Sequence, residues 1–537
     1  MPILLRHSRD LPDTTAYESW FPVTGANGKG AEDKRSHALG LRLEAAFNSI
    51  SAGWWDIAAT LADGPGAELA YAPTCAGFGS DFGLMMAWGH LTEDVAKEPQ
   101  MSLIICDDPW LFRHLASLSG VKAGKAPPLW PSTMILRLRG LFSRMRLIAR
   151  LFWMTLLARR QRRVHAIGDQ VILVYANPRS TADGYDDYFG FMMKEMPGLK
   201  RAIHTDGGLG GAKALFGDGR TASLHAWGNP WRTPGLLFQR WRPKPSHLKG
   251  PYGWLVRRAA ETEGSGGAHA MNAWQRQCQE AWLAETRPAV VAWPWENHGW
   301  ERAFCRSARR LGVRTVGYQH TLIGRQQLNY SPATNADGTA SLPDTVLCDG
   351  PAFLDQLIEW GFPKDRLAIG GSFRIAVDCS DLYDPEGPIF VALSAIRTIA
   401  RQQISAAQKI AASGRHVLIK EHPMYPLKIE ATDGISKTDV PLSRQEGISA
   451  VLYSTGVSGL EALMAGLPTI RLLVEDQLAL SKLPETVKVP AATGDDIAAV
   501  VAAAQKPESY DWTQILAPVD MEVWRHALAP DRNFEKK

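Results

Sequence analysis

This 537-residue chain has few cysteines, little net charge and no long uncharged apolar run. The six cysteines (Cys75, Cys106, Cys278, Cys305, Cys348 and Cys379) are scattered, with no C-x-x-C pair. That spacing argues against a disulfide framework or a cysteine zinc site, and predicts reduced, mostly buried thiols in a cytosolic protein. A net charge of +4 supplies no global field for nucleic acid. No window reaches the roughly 18 uncharged apolar residues of a membrane span. The first residues, "MPILLRHSRDLPDTT", are broken by Arg6 and Asp10 and lack the form of a secretory signal. Internal repeats and long low-complexity tracts are missing too. What these absences leave is a globular chain expected in the cytoplasm. With 45% hydrophobic and 21% charged residues it is long enough for two or more domains.

One further absence is local. From Trp130 to Arg163 the chain reads "WPSTMILRLRGLFSRMRLIARLFWMTLLARRQRR", without a single acid. As a helix it carries a broad apolar face bordered by arginines. Such a helix suits the headgroup layer of an anionic membrane. It also suits a core position from which the arginine stems reach back to solvent.

What is present is alternation. "DTVLCDG", "GPIFVALS", "RHVLIKEHP" and "GISAVLYSTG" are strand-like runs, separated by helix-like runs such as "IRTIARQQISAAQKIAASG". Short apolar strands alternating with helices predict an α/β fold with a parallel sheet covered on both faces. The expected domains are residues 1–343, an α/β unit interrupted by the basic insertion at 130–163; residues 344–505, a Rossmann-like unit; and residues 506–537, a helix packing back on the first domain. Ligands of open α/β sheets bind at the carboxyl ends of strands. Here nearly every predicted strand empties into polar or ionisable residues.

Two such ends carry chemistry. In "YSTGVSGLEALMAGLP", Gly456 lets the backbone turn sharply, and the N–H groups that open the next helix form an anion site. Ser454, Thr455 and Ser458 add hydroxyls, and Glu461 can accept from ribose. A plain helix cap explains the same residues without a ligand. In "LIKEHPMYP", Pro423 fixes the backbone after His422, whose imidazole can donate to a phosphate oxygen, with the Lys420 charge nearby. A lone histidine after a strand has a structural explanation as well.

"KEHP" with "STGVSGLEALMAGLP" resembles the nucleotide-sugar half of GT-B glycosyltransferases, above all the bacterial capsule and surface-polysaccharide enzymes related to polysialyltransferases and Kdo transferases. "WENHGWERAF", "GYQHTLI" and "YDDYFGFM" resemble marks of the same surface-carbohydrate proteins. The resemblance covers roughly residues 170–475. It implies two Rossmann-like domains facing an interdomain cleft, with His422, Ser454, Thr455 and Ser458 holding the donor phosphate. Glycosyl transfer builds negative charge on that phosphate, so fixed donors there lower the barrier. The family's acid-acid-glycine motif has only partial matches, "DDP" at 107–109 and "TDGG" at 205–208.

The acceptor hydroxyl must also lose a proton to a positioned base. Glu296 is the leading candidate, beside His298 and among Trp293, Trp295 and Trp300, whose bulk raises a carboxyl pKa by desolvation. Asp186, Asp187 and Asp107 stand in reserve. The competing account is that Glu296 and His298 only cap the following helix. His320 and Arg374 are expected to face the same cleft, although interdomain packing explains each alone. No His or carboxylate partner stands at ligand spacing from the Asp pairs, so no metal is expected, and no cofactor beyond a nucleotide sugar as co-substrate.

The resemblance therefore implies an inverting, metal-independent glycosyltransferase. Its donor is a nucleotide sugar, an acidic sugar on CMP being one option. Its acceptor is a surface glycan, free or lipid-linked, of capsule or lipopolysaccharide type, at the inner face of the cytoplasmic membrane. Two alternatives share the architecture: a nucleotide-sugar epimerase, and an inactive scaffold in a polysaccharide assembly complex.

Overall fold

The computed structural model describes residues 3–64, 66–77, 79–373, 382–422, 427, 429, 432–475, 477–480, 482–484, 486–508 and 510–529. Among the described residues, seventeen strands lie in three sheets. The first holds β1 (Ile3–Arg6), β2 (Ser19–Pro22), β3 (Ser102–Ile105) and β4 (Val121–Ala123), in the order β2-β3-β1-β4. The central sheet holds β5 (Gln170–Val174), β6 (Lys200–Ile203), β7 (Thr221–Ser223), β8 (Val290–Pro294), β9 (Arg314–Gln319), β10 (Thr345–Cys348) and β11 (Leu367–Ile369). The third holds β12 (Ile389–Ala392), β13 (Val417–Lys420), β14 (Ile435–Thr438), β15 (Ala450–Tyr453), β16 (Thr469–Leu472) and β17 (Ala491–Ala492).

Every pairing between these strands is parallel. The central order is β7-β6-β5-β8-β9-β10-β11 and the third is β14-β13-β12-β15-β16-β17. Renumbered within each sheet, both follow the 3-2-1-4-5-6 winding of the Rossmann fold, the central one with one strand more. The fold is thus α/β, with two Rossmann-like domains. The middle strands are mainly apolar, as a parallel sheet covered on both faces requires; Val171, Ile172, Leu173 and Val174 of β5 are all buried.

Two expectations about boundaries are corrected. Residues 1–343 are not one unit, since β1 to β4 form a sheet of their own, separate from the central one. Residue 344 is not a boundary either. β10 pairs with β9, and β11 with β10, so both belong to the central sheet, and the third sheet begins at Ile389. Near the carboxyl end, the Met521–Leu528 helix packs on the central sheet, where Trp524 and Leu528 share a core with Ile172, Ala292 and Tyr318.

The three units are locked together. Leu478 and Leu480, from the connection between β16 and β17, lie in the core of the first unit with Phe47 and Trp54. Arg471 Nη1 donates to Glu44 Oε1 at 2.8 Å. Leu460, Leu463 and Met464 of the Ser458–Met464 helix share the central core with Leu322 and Ile323.

Candidate active site

In a 3-2-1-4 winding the ligand crevice opens where strand order reverses, outside the carboxyl ends of strands 1 and 4. For the central sheet these are β5 and β8. After β8 the chain turns through Glu296 and Asn297 into the Gly299–Arg310 helix. Asn297 takes φ +57°, a left-handed conformation uncommon for a non-glycine residue. It is held by its side-chain amide, which donates to the Asn329 carbonyl at 2.9 Å, and by its backbone N–H, which donates to Glu301 Oε2 at 3.1 Å. Glu301 Oε2 also accepts from Trp293 Nε1 at 3.1 Å and from the Glu296 N–H at 3.0 Å. His298 and Glu301 close a capping box at the helix start. The capping account of this turn is therefore real, but it does not exhaust it.

Glu296 Oε2 lies 2.8 Å from His298 Nε2, and His298 Nδ1 lies 3.3 Å from Cys75 Sγ. His320 Nε2 is 3.9 Å from the other Glu296 oxygen. Lys482 Nζ arrives from the third unit, 3.5 Å from Thr321 Oγ1. Burial opposes ionisation of Glu296, but His298, then His320 and Lys482, outweigh it and hold the carboxyl well below its usual range. Burial likewise disfavours the His298 imidazolium, yet Cys75 and Glu296 on either side outweigh it and raise its pKa. The pair is a carboxylate against an imidazolium. Such a Glu296 has little appetite for a further proton, so its expected role as base is not favoured.

For the third sheet the reversal lies between β12 and β15, and the serine-rich turn follows β15 as expected. Its hydroxyls point elsewhere. Ser454 is fully buried and donates to the Leu472 carbonyl at 2.8 Å. Thr455 Oγ1 donates to the Leu480 carbonyl at 3.0 Å. Both protons are committed to the connection that carries Lys482, which corrects their expected place on a phosphate. Gly456 has the required left-handed backbone, φ +106°, while Ser458 opens the next helix and Glu461 lies one turn in; both are half-buried.

The two strand ends bearing His422 and Ser454 are not neighbours, because β12 separates β13 from β15. At about 4.8 Å per strand they stand roughly 10 Å apart. Half-buried His422 instead feels Arg179 of the central unit; burial first, then that charge, lowers its pKa. Arg179 pairs with Asp187 at 2.8 Å, so Asp187 belongs to this second seam. Lys420 Nζ donates to the Asp439 carbonyl at 2.8 Å, on the β14 side of the sheet. Asp186 is fully buried, accepts from the Tyr188 N–H at 2.9 Å and pairs with Arg201 at 3.4 Å. It organises a loop and is closed to an acceptor. Asp107 accepts from the N–H groups of Ser8 and Asn27 and is likewise structural. Arg374 and Pro423 lie outside the described residues.

Sequence reasoning missed Lys482, Cys75 and Glu263. A cavity of about 360 Å³ opens between the first unit (Thr24, Ser80, Asp81), the Thr262–Glu263 corner, and Ile396 and Gln477 of the third unit. Ile396 follows β12 at the reversal point. Ser80 Oγ donates to Glu263 Oε1 at 2.7 Å, while Glu263 Oε2 is buried without a hydrogen-bond partner among the described residues. Burial first, then the Asp81 charge, pushes the Glu263 carboxyl up to about 8. An adjoining cavity of about 220 Å³ shares Thr262 and Glu263 and reaches Tyr71, whose ring meets His298 edge-on at 6.3 Å. Among the described residues no group of three or more His, Cys, Asp or Glu is arranged to hold a metal.

No protein-family model matches the chain, and no curated protein matches it in sequence. Solved structures do. A UDP-GlcNAc 2-epimerase from Neisseria meningitidis bound to UDP-GlcNAc is 11% identical over 62% of this chain and 90% of its own, with a TM-score of 0.36. The lipopolysaccharide outer core galactosyltransferase WaaB is 11% identical over 62% and 88%, with a TM-score of 0.31. The calicheamicin glycosyltransferase CalG4 is 14% identical over 67% and 92%, with a TM-score of 0.35.

Proposed function

We propose that this protein is an inverting, metal-independent glycosyltransferase that moves a sugar from a nucleotide-sugar donor to a glycan acceptor of a bacterial surface polysaccharide. The supporting observation is the meeting of the two strand-order reversals at one place. Thr455, at the third sheet's reversal, anchors the connection that brings Lys482 to Thr321 and Glu296 at the central one.

The chemistry suits the charges found there. The departing phosphate gains negative charge, which Lys482 and the His298 imidazolium are placed to stabilise, with His422 and Arg179 along the same seam. The sugar gains positive charge, which the Glu296 carboxylate steadies as a fixed anion. The acceptor occupies the 360 Å³ cavity, which is of ordinary ligand-pocket size and sets hydroxyl, carboxyl and amide groups among the apolar side chains of Leu84, Ile396 and Leu478, a mixture suited to a saccharide. Glu263, with its affinity for a proton near neutral pH, takes the acceptor's proton. An acidic sugar on CMP remains the first donor to try, and an acceptor carried on a lipid places the protein at a membrane surface.

The experiment is to incubate the protein with CMP-, UDP-, CDP- and GDP-sugars, first without and then with a glycan acceptor, following free nucleotide and melting temperature. A donor that raises the melting temperature and is slowly hydrolysed supports the reading. Glu296→Gln then loses hydrolysis and transfer together, whereas Glu263→Gln loses transfer and keeps donor hydrolysis. A 2-epimerised product without acceptor would assign an epimerase instead. No response to any nucleotide sugar would leave the scaffold reading.

A further inference from the structure

The longest helix, Leu129–Ala158, is apolar on two opposite sides. Its inner stripe, Gly140, Arg144, Leu147, Leu151, Thr155 and Ala158, is buried against the protein. Its outer stripe, Trp130, Met134, Leu138, Phe142, Met145 and Trp153, is exposed, with Trp130 at 71% and Trp153 at 64%. At 3.6 residues per turn Met134, Leu138, Phe142, Met145 and Trp153 fall opposite the buried set, while Trp130 stands to one side in the first turn. The Pro230–Phe238 segment beside the helix adds Trp231 and Phe238, exposed by 78% and 77%, and Trp231 meets Phe152 edge-on at 5.7 Å. Arg139, Arg146 and Arg150 are exposed along one flank of the outer stripe. Arg139 and Arg146 have no acidic partner among the described residues, whereas Arg137 turns inward to Glu261 at 2.5 Å.

From this arrangement we infer that the outer face of the Leu129–Ala158 helix, with Trp231 and Phe238, seats flat on an anionic lipid bilayer. An exposed apolar face running about 35 Å from Trp130 to Trp153, with arginines along its edge, matches the acyl boundary below and acidic headgroups beside it. The helix lies on the surface rather than through it, since no described helix is long and apolar enough to cross a membrane. A second copy of the chain is the poorer occupant. A two-fold contact through this face would bring unpaired arginines against their own kind.

The inner face connects the surface to the cavities. Arg144 Nη1 donates to the Ser265 carbonyl, and a side chain at Gly140 would collide with that same carbonyl. The turn that follows, with Gly266 and Gly267, lines the cavity shared by Glu263 and Tyr71. Docking therefore holds that cavity beside the bilayer, where a lipid-carried acceptor would enter; this last step rests on the transferase reading, and the docking itself does not.

The test is flotation of the full chain with phosphatidylcholine vesicles, with and without phosphatidylglycerol. Binding is expected to the mixed vesicles and to weaken with salt. Replacing Arg139, Arg146 and Arg150 by Gln should lower the vesicle partition coefficient about a hundredfold, at roughly fivefold per arginine. The triple variant Phe142→Glu, Trp153→Glu, Trp231→Glu should abolish binding, and its unchanged circular dichroism and melting temperature show that the fold survives. Brominated lipids should quench tryptophan fluorescence of the wild type and not of a Trp130→Phe, Trp153→Phe, Trp231→Phe variant beyond background. Failure of the wild type to float with acidic vesicles at low salt, or dimerisation abolished by the Glu variant, overturns the proposal without touching the donor assays.

Discussion

Thr455 Oγ1 donates to the carbonyl of Leu480 at 3.0 Å, two residues before Lys482. With Ser454 holding the Leu472 carbonyl at 2.8 Å, it clamps the start and the middle of the connection between β16 and β17. The turn that follows β15 acts on the site through this clamp, by fixing where Lys482 reaches across to Thr321 of the central unit.

Thr455→Val keeps the shape and removes the donor, leaving one buried carbonyl without its partner. The loss should be about 1 kcal/mol, felt locally. Hydrogen exchange followed by mass spectrometry should show faster exchange in peptides covering residues 473–484, and Ser458→Ala should leave those peptides unchanged. Equal protection in the Thr455→Val protein would show that the clamp is not what orders the connection.

Lys482→Met should lower donor turnover about a hundredfold, the usual effect of removing one group that faces developing charge. Lys482→Arg should recover part of it, because the charge is restored on a longer fork. Melting temperature separates this from unfolding: a lost fold would remove hydrolysis and the thermal transition together, while a lost charge removes hydrolysis alone.

The Glu296–His298 pair gives a pH signature. His298 has its pKa raised by folding, so its contribution is fully present below the unfolded value of about 6.5 and fades as pH rises through the folded one. Glu296 has its pKa lowered, so its contribution is present above about 4.5 and fades on acidification. Both hold together between about pH 5 and 6.5. The melting-temperature gap between wild type and His298→Gln should be widest there and narrow toward alkaline pH. A gap independent of pH would mean that the pair is not ionised.

The alternation of apolar runs and helices made the parallel α/β layers legible, because both signals are local. The sheet to which a strand belongs is not local. "DTVLCDG" reads the same whether it pairs with β9 or opens a new domain, so the boundary fell 45 residues short of Ile389, 389 minus 344. The same limit governs the site. Glu296 and His298 were visible as a pair, being two residues apart, but the Cys75 sulfur that completes them is 223 positions away. Ser454 and Thr455 carry the hydroxyl-and-glycine pattern of a phosphate turn, while their actual acceptors lie 18 and 25 residues downstream. Capping, clamping and phosphate binding draw on the same side chains, and only the partner tells them apart.

Glu263 offers a test of burial alone. Its carboxyl is pushed up to about 8, chiefly by burial, with the Asp81 charge acting in the same direction. A raised carboxyl pKa means that the folded protein holds a proton the unfolded chain has released. Folding is therefore progressively disfavoured as pH climbs from about 4.5 to about 8, and the penalty is complete above that. Glu263→Gln keeps the shape and an uncharged side chain at every pH. It should melt close to the wild type near pH 5 and above it at pH 8.5, so that the two curves of melting temperature against pH diverge between those limits. Parallel curves would mean that Glu263 ionises freely in the folded state, and with that its suitability as the proton acceptor for a sugar hydroxyl would be gone.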